Sequence, residues 1–128
     1  MSITHNITRA WRGQTGATTI SASVALTGSE ELNLDFSLAA NTTNQQEALA
    51  FTKTLLQSVF VYSDQNITIK TNSTSTPQDT LTINAGDPLV WDVNCGLAEP
   101  FAGNVTTAYF TNSNATAANV SVRVLTNG

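Results

Sequence analysis

A single histidine, His5, and a single cysteine, Cys95, limit the chemistry that this chain can perform. A serine or cysteine nucleophile needs a basic partner, and His5 would be the only imidazole able to act as one. No G-x-S-x-G sequence occurs, and His5 stands in a strand-like stretch, so we interpret it as a strand residue at a rim or contact. Cys95, in "VNCGLAEP", is interpreted as a buried or semi-buried small apolar residue. We therefore expect no catalytic residues and a protein that is not an enzyme.

Metal ligands are equally scarce. One histidine and one cysteine do not supply the nitrogen and sulfur ligand set of zinc. Calcium needs clustered oxygens, and Asp79, Asp87 and Asp92 would have to meet in the folded chain, without the usual calcium-binding loop. We expect no metal and no cofactor. A glycosidase pair of carboxylates is left open, because any nine acidic residues would allow one.

The aromatic residues Trp11, Trp91 and Tyr109 raise a different possibility. Exposed aromatic rings on a polar β-sandwich can stack against sugars, which would make the chain a carbohydrate-binding or adhesin module. The competing interpretation is that both tryptophans fill the core or an interface, since each lies on an alternating strand. We favour the second interpretation and keep the carbohydrate-binding module as the alternative function.

The composition is that of one neutral-surfaced domain. The 128 residues suit a single domain, 1–128, with its own core. Only 11% are charged, against about 25% in an average protein. Thr, Asn, Ser and Gln supply 51 residues, which suits exposed strand faces and tight turns. With a net charge of −4 and no basic stripe or long apolar run, we expect neither nucleic-acid binding nor a membrane span.

Period-two alternation dominates the chain and predicts short strands. Apolar residues alternate with polar ones from Ile3 to Trp11, from Ala17 to Thr27 and from Leu32 to Leu38, with "RGQTG" as the first turn. The second and third of these stretches, joined by "TGSE", are predicted to form a hairpin or meander. Later strands are predicted around "SVFVYS", Ile67, Leu81, "LVW", Val105 to Thr111, and Val120 to Val124. The fold class is therefore all-β, an antiparallel β-sandwich that is jelly-roll-like, with the strand order left open.

One segment breaks this rhythm. From Asn44 to about residue 57, the apolar residues follow helical spacing, and Asn44 and Glu47 stand where a capping box places them. We predict one short helix here (about 44–57) that covers an open side of the core.

Several motifs resemble a family of small proteins encoded beside the capsid genes of tailed bacteriophages. They are "ITHNITRAW" at the front, "SDQ-N-T-KTNS", "P-DT", "AG-PLVW" and "TNSNATAANVSVRVL" at the end, and together they cover most of the chain. The resemblance implies a head decoration (cement) protein with a jelly-roll-like sandwich, and it brings no catalytic residues.

This resemblance also implies a place and partners. We expect a virion protein on the outer capsid surface, made in the bacterial host cytoplasm, that binds the major capsid protein. We further expect a homo-oligomer, with dimer or trimer, symmetry axis and head or fibre location left open. The N-terminal segment is the expected capsid or subunit contact, through His5, Arg9, Trp11 and Arg12.

Overall fold

The structure, a computed structural model, describes residues 2–12 and 19–128. These residues form ten strands and one short 3₁₀ turn. The strands are β1 (Ile3–Trp11), β2 (Ile20–Gly28), β3 (Glu30–Leu38), β4 (Thr42–Glu47), β5 (Leu56–Ser63), β6 (Ile67–Thr71), β7 (Thr80–Ile83), β8 (Leu89–Asp92), β9 (Ala108–Asn112) and β10 (Ala118–Thr126), and the turn is Lys53–Leu55. In the part of the chain that the structure describes, no helix is long and apolar enough to cross a membrane.

Eight strands build a sandwich of two antiparallel sheets, as the alternation predicts. One sheet has the order β3-β10-β5-β8 and the other β4-β9-β6-β7. The pairing is nested: β3 pairs with β10, β4 with β9, β5 with β8 and β6 with β7. The first of these eight strands pairs with the last, the second with the second to last, and so on to the central pair. This nested pairing is the strand order of a jelly roll. The remaining strands, β1 and β2, form a separate two-stranded ribbon.

The core lies between the two sheets and follows directly from the alternation. Val120, Val122 and Val124 face inward from β10, and each is buried. Across the interface, the fully buried ring of Phe110 meets the ring of Phe36 edge-on, with centroids 4.9 Å apart. Each buried side chain of this size contributes about 1.5–3 kcal/mol relative to an exposed one.

The predicted helix at about 44–57 is wrong. Its first residues belong to β4, which pairs with β9, and its centre is extended, with Phe51 bridged to Val105. Asn44 does not cap a helix but sits at φ 53°, where the register of β4 shifts. An isolated three-turn helix is marginal, so hydrogen bonding to β9 and burial of Leu49 outweigh the helical spacing. Only the turn Lys53–Leu55 is helical in this segment.

The predicted hairpin between the second and third strands is also wrong. β2 pairs with β1, and β3 pairs with β10, so the chain changes layer at Gly28 and Ser29. The Ser29 amide donates to the Thr126 carbonyl oxygen at 2.9 Å, which ties this crossing to the end of β10. The predicted turn "RGQTG" and the start of the second strand at Ala17 lie partly outside the described residues.

Candidate functional site

The ribbon of β1 and β2 packs on the outer face of the β3-β10-β5-β8 sheet. Its inner face carries Ile7 and Leu26, which are buried together with Leu125 of the sheet. Its other face is small and polar, with Thr8 and Ser23 hydrogen-bonded across the ribbon at 2.8 Å. A two-stranded ribbon is at best marginally stable alone, so its packing against the sheet is what stabilises it.

Two polar contacts show how the ribbon crosses the sheet. The sheet row Glu31, Leu125, Ser58 and Asp92 runs from edge strand β3 to edge strand β8. His5 contacts Glu31 at one end of this row, at 2.7 Å, and Arg9 contacts Asp92 at the other, at 3.1 Å. Four residues of strand cover about 14 Å, and three strand spacings cover about 14 Å, so the ribbon crosses nearly at right angles.

The ribbon continues past the sheet after Arg9. Trp11 lies two residues further along, about 7 Å beyond β8. It is 57% exposed, and its cross-strand partner Ile20 is 63% exposed. Both stand on the inner face, the same face that Ile7 buries, because they share its strand parity. The apolar stripe of the ribbon therefore runs out over open solvent.

Two more exposed apolar residues lie in the chain close to Asp92, the residue that Arg9 binds. Val93 (48% exposed) and Leu97 (71% exposed) lie in the segment that directly follows edge strand β8. We call Trp11, Ile20, Val93 and Leu97 the overhang patch. Four of the five large hydrophobic residues exposed in the described chain are in it. Exposed apolar residues that cluster are typical of surfaces used for binding.

The four residues predicted as contacts fall into two pairs. His5 and Arg9 are anchors of the ribbon, since both bind carboxylates of the sheet. Trp11 and Arg12 are exposed at the free end of the ribbon. Within the described residues, only Trp11 and Arg12 therefore form a surface that is free to contact another molecule.

The Arg9 anchor depends on a buried carboxylate. The side chain of Asp92 is 2% exposed, and that of Arg9 is 45% exposed. One carboxylate oxygen of Asp92 meets the guanidinium, and the other accepts the Asn94 amide at 2.9 Å. Sequence patterns offer no signal for this pair, because 83 positions separate its members.

A side groove of about 430 Å³ follows β1 on the sheet. It is lined by His5, Asn6, Glu31, Asn33, Phe60 and Arg123. The hydrogen bond from His5 is the main reason that the pKa of Glu31 is lowered. Beside it, hydrogen bonds from Ser121 and then Arg123 lower the pKa of Asp35, whose carboxylate Arg123 binds through both oxygens at 3.1 and 3.0 Å. The charged groups of the groove are thus already paired within the chain.

A second cavity, the end pocket, opens at the opposite edge of the same sheet. Its volume is about 220 Å³, and its lining consists of Glu30, Glu31, Leu32, Ala50, Phe51, Val124 and Thr126. Glu30 shares the inward parity of Leu32, so its carboxylate stands at the mouth of a pocket whose lining is half polar and half apolar. Within the described residues, Glu30 has no ion-pair or side-chain hydrogen-bond partner.

The residues considered for catalysis and metal binding are dispersed. In the described residues, no group of three or more His, Cys, Asp or Glu side chains is placed to hold a metal ion. Asp79 instead accepts hydrogen bonds from Thr71 and the Ala102 amide, and Asp92 binds Arg9. Cys95 is half-buried against the main core, which confirms its interpretation as a small apolar residue.

Trp91 is a core residue, as the packing interpretation predicts. It is 8% exposed, and its indole nitrogen donates to the Leu97 carbonyl oxygen at 3.1 Å. Trp11 is not a core residue, so the two tryptophans differ in role. Sequence reasoning did not identify Ile20, Val93 and Leu97 as parts of a site, since Ile20 alternates like an inward-facing residue and the others stand alone.

Comparison with known proteins gives no relative to set beside this geometry. No protein-family model, no curated protein and no solved structure matches the chain.

Proposed function

We propose that the protein is a structural component of a tailed-bacteriophage virion, a head decoration (cement) protein. It binds the shell of major capsid protein from the outside and stabilises it. The observation that carries this proposal is the overhang patch, a set of apolar side chains that are exposed in the described part of the chain. The strand and turn motifs that resemble capsid-associated phage proteins supply the identity of the partner.

The rest of the surface suits adhesion as well. Exposed strand residues are mostly Thr, Asn and Ser, which lose less side-chain entropy on contact than Lys or Glu. Few charged groups also mean little dependence of binding on salt. A shell repeats the same boundary between capsid subunits many times, so even a small stabilisation at each boundary adds up over the particle.

The test uses particles from which the gene for this chain has been deleted. Purified protein is added, and particles are separated from free protein on a density gradient. We expect saturable binding in many copies per particle, together with retention of packaged DNA at a higher temperature. Protein that stays at the top of the gradient at every concentration would overturn the proposal.

A matched pair of variants locates the contact. Trp11→Ser with Ile20→Ser removes the apolar tip from positions that are already exposed, so folding should not suffer. Leu55→Ser removes an exposed apolar side chain outside the overhang patch and serves as the control. We expect the first variant to lose most shell binding and the second to keep it. Equal binding by both would show that the patch is not the adhesive surface.

The same variants address carbohydrate binding. Because Trp91 is buried, Trp11 is the described tryptophan whose ring is free to stack on a sugar. Saturable binding to an immobilised glycan that Trp11→Ser abolishes, without binding to shells, would favour the adhesin module over the decoration protein.

A further inference from the structure

We propose that the ribbon tip of one copy docks in the end pocket of a second copy, so that copies join head to tail. The proposal rests on the proposed function in one respect: it treats the overhang patch as a protein-binding surface. It then names the partner of the ribbon tip, which is another molecule of the same chain. Val93 and Leu97 remain for the shell, and the tip variant loses shell binding because neighbouring copies no longer reinforce one another.

The first argument is the continuity of the apolar stripe. On the inner face of the ribbon, Ile7 and Leu26 are covered by Leu125 of the same chain. Trp11 and Ile20 continue that stripe beyond β8 and have no cover in the described chain. We therefore expect Trp11 and Ile20 to pack against apolar side chains of another molecule, as Ile7 and Leu26 pack against Leu125.

The second argument is charge. Residues 1–28 carry two arginines and no acidic residue, a net charge of +2. Residues 29–128 carry three basic and nine acidic residues, a net charge of −6, and the two parts give the total of −4. Because Arg9 is already paired with Asp92 of its own chain, the basic group of the tip is Arg12, which the acidic body of another copy can match. Locally, Arg12 stands next to Trp11, and Glu30 stands unpaired at the mouth of the end pocket.

The third argument is the size and lining of the end pocket. Its 220 Å³ corresponds to about seven waters of the bulk liquid, which is enough for one large side chain. Leu32, Phe51 and Val124 give it one apolar wall, which an indole can contact, while Glu31 and Thr126 make the rest of the lining polar. An indole filling such a recess, with an arginine reaching a carboxylate at the rim, is the typical composition of an interface hot spot.

The placement of the two surfaces sets the mode of assembly. The tip projects beyond β8, whereas the end pocket lies beside β3, at the other edge of the same sheet. A tip cannot fold back into its own pocket, so the contact is heterologous, and copies form a closed ring or an open chain. One tip buries well below the roughly 1,600 Å² of a standard interface. We therefore expect weak association in solution that strengthens where copies are arrayed side by side.

The first experiment follows self-association of the purified protein without shells. Sedimentation velocity from micromolar to millimolar concentration should show concentration-dependent oligomers, and Trp11 emission should shift to the blue as they form. Trp11→Ser and Glu30→Lys should each weaken association by about tenfold or more. Asp87→Lys makes the same charge change at the other end of the strands and should have no such effect. A wild-type protein that stays monomeric throughout, or oligomers unaffected by both test variants, would overturn the proposal.

A mixing experiment tests the head-to-tail geometry. Trp11→Ser lacks the tip but keeps the pocket, and Glu30→Lys keeps the tip but reverses the charge at the pocket. Each variant alone should associate only weakly, yet in the mixture the end pocket of the Trp11→Ser variant is intact and the ribbon tip of the Glu30→Lys variant is intact. The Glu30→Lys tip should enter that pocket, giving a one-to-one complex. Failure of the mixture to associate would contradict a heterologous contact.

A charge exchange provides a rescue. Arg12→Glu should weaken association, and combining it with Glu30→Lys in one chain should restore much of it. No recovery in the double variant would remove Arg12 and Glu30 as partners. Shell binding by a protein that never self-associates would overturn this inference and leave the proposed function intact. Self-association by a protein that never binds shells would do the reverse.

Discussion

Removing Arg9 should release the ribbon from the edge of the sheet at a measurable cost. The side chain of Asp92 is 2% exposed, and Arg9 meets it at 3.1 Å. Breaking a fully buried ion pair by deleting one partner costs about 3–5 kcal/mol, whereas an exposed pair contributes about 0–1 kcal/mol. Because the arginine is 45% exposed, water can partly replace it, and we expect Arg9→Ala to lower the free energy of unfolding by about 1–3 kcal/mol.

The assay is urea denaturation at neutral pH, followed by the emission of the buried Trp91. The decisive comparison is with the double variant Arg9→Ala, Asp92→Asn. The second substitution removes the unpaired charge of Asp92 but keeps the shape of its side chain. We expect the double variant to recover part of the loss, since the Asn94 amide can still donate to the retained oxygen. A change within about 0.5 kcal/mol for Arg9→Ala would refute the anchoring role, because that is the range of ordinary surface substitutions.

Three further substitutions probe other parts of the molecule. Phe110→Ala empties the fully buried position that faces Phe36 and should lower the free energy of unfolding by about 3–5 kcal/mol in the same assay, and a loss below about 1 kcal/mol would contradict the packing. Gly28→Ala places a methyl group against the Thr126 carbonyl and should lower the melting temperature by several degrees, whereas an unchanged value would show that the ribbon root can shift freely. Burial raises the pKa of Glu99 above its ordinary 4.5, so the stabilising protonated form is fully present below that pH and is lost as the pH rises through the raised pKa. Glu99→Gln should therefore raise the melting temperature at neutral pH but not in acid, and equal effects at both would contradict the shift.

The strands were predictable because each buries one face. In β3 and β10 the alternation of Leu34 with Asp35, or of Val122 with Arg123, marks the inner and outer surfaces directly. The pairing of these strands was not predictable, since alternation does not say which strand lies beside which. The β2 and β3 hairpin failed for this reason: proximity in sequence favours pairing, but Gly28 lets the chain cross between layers instead.

The helix prediction failed where two periodicities overlap. Leu49, Phe51 and Leu55 suit a helix by spacing, yet Leu49 lies in irregular chain and is buried in the core, and Phe51 forms a bridge to Val105. Hydrogen bonds to a neighbouring strand are a tertiary effect that local spacing does not contain.

Part of the candidate site, the N-terminal strand, was predictable from the sequence, and the rest of the overhang patch was not. An N-terminal strand with Arg9, Trp11 and Arg12 and mixed faces indicated a contact, but not that Arg9 binds the sheet whereas Trp11, on the same face, lies beyond the sheet edge. The two residues differ because the sheet is four strands wide: Arg9 lies over its edge strand β8, and Trp11 lies past that edge. Ile20, Val93 and Leu97 join the patch only because the fold places them at one edge.

A cryo-electron-microscopy map of the native particle that contains this chain tests the central claim most directly. We predict eight-stranded sandwich density on the outside of the head, with the overhang patch against neighbouring protein. Particles whose heads carry no such density, or sandwiches whose overhang patch faces open solvent, would contradict it.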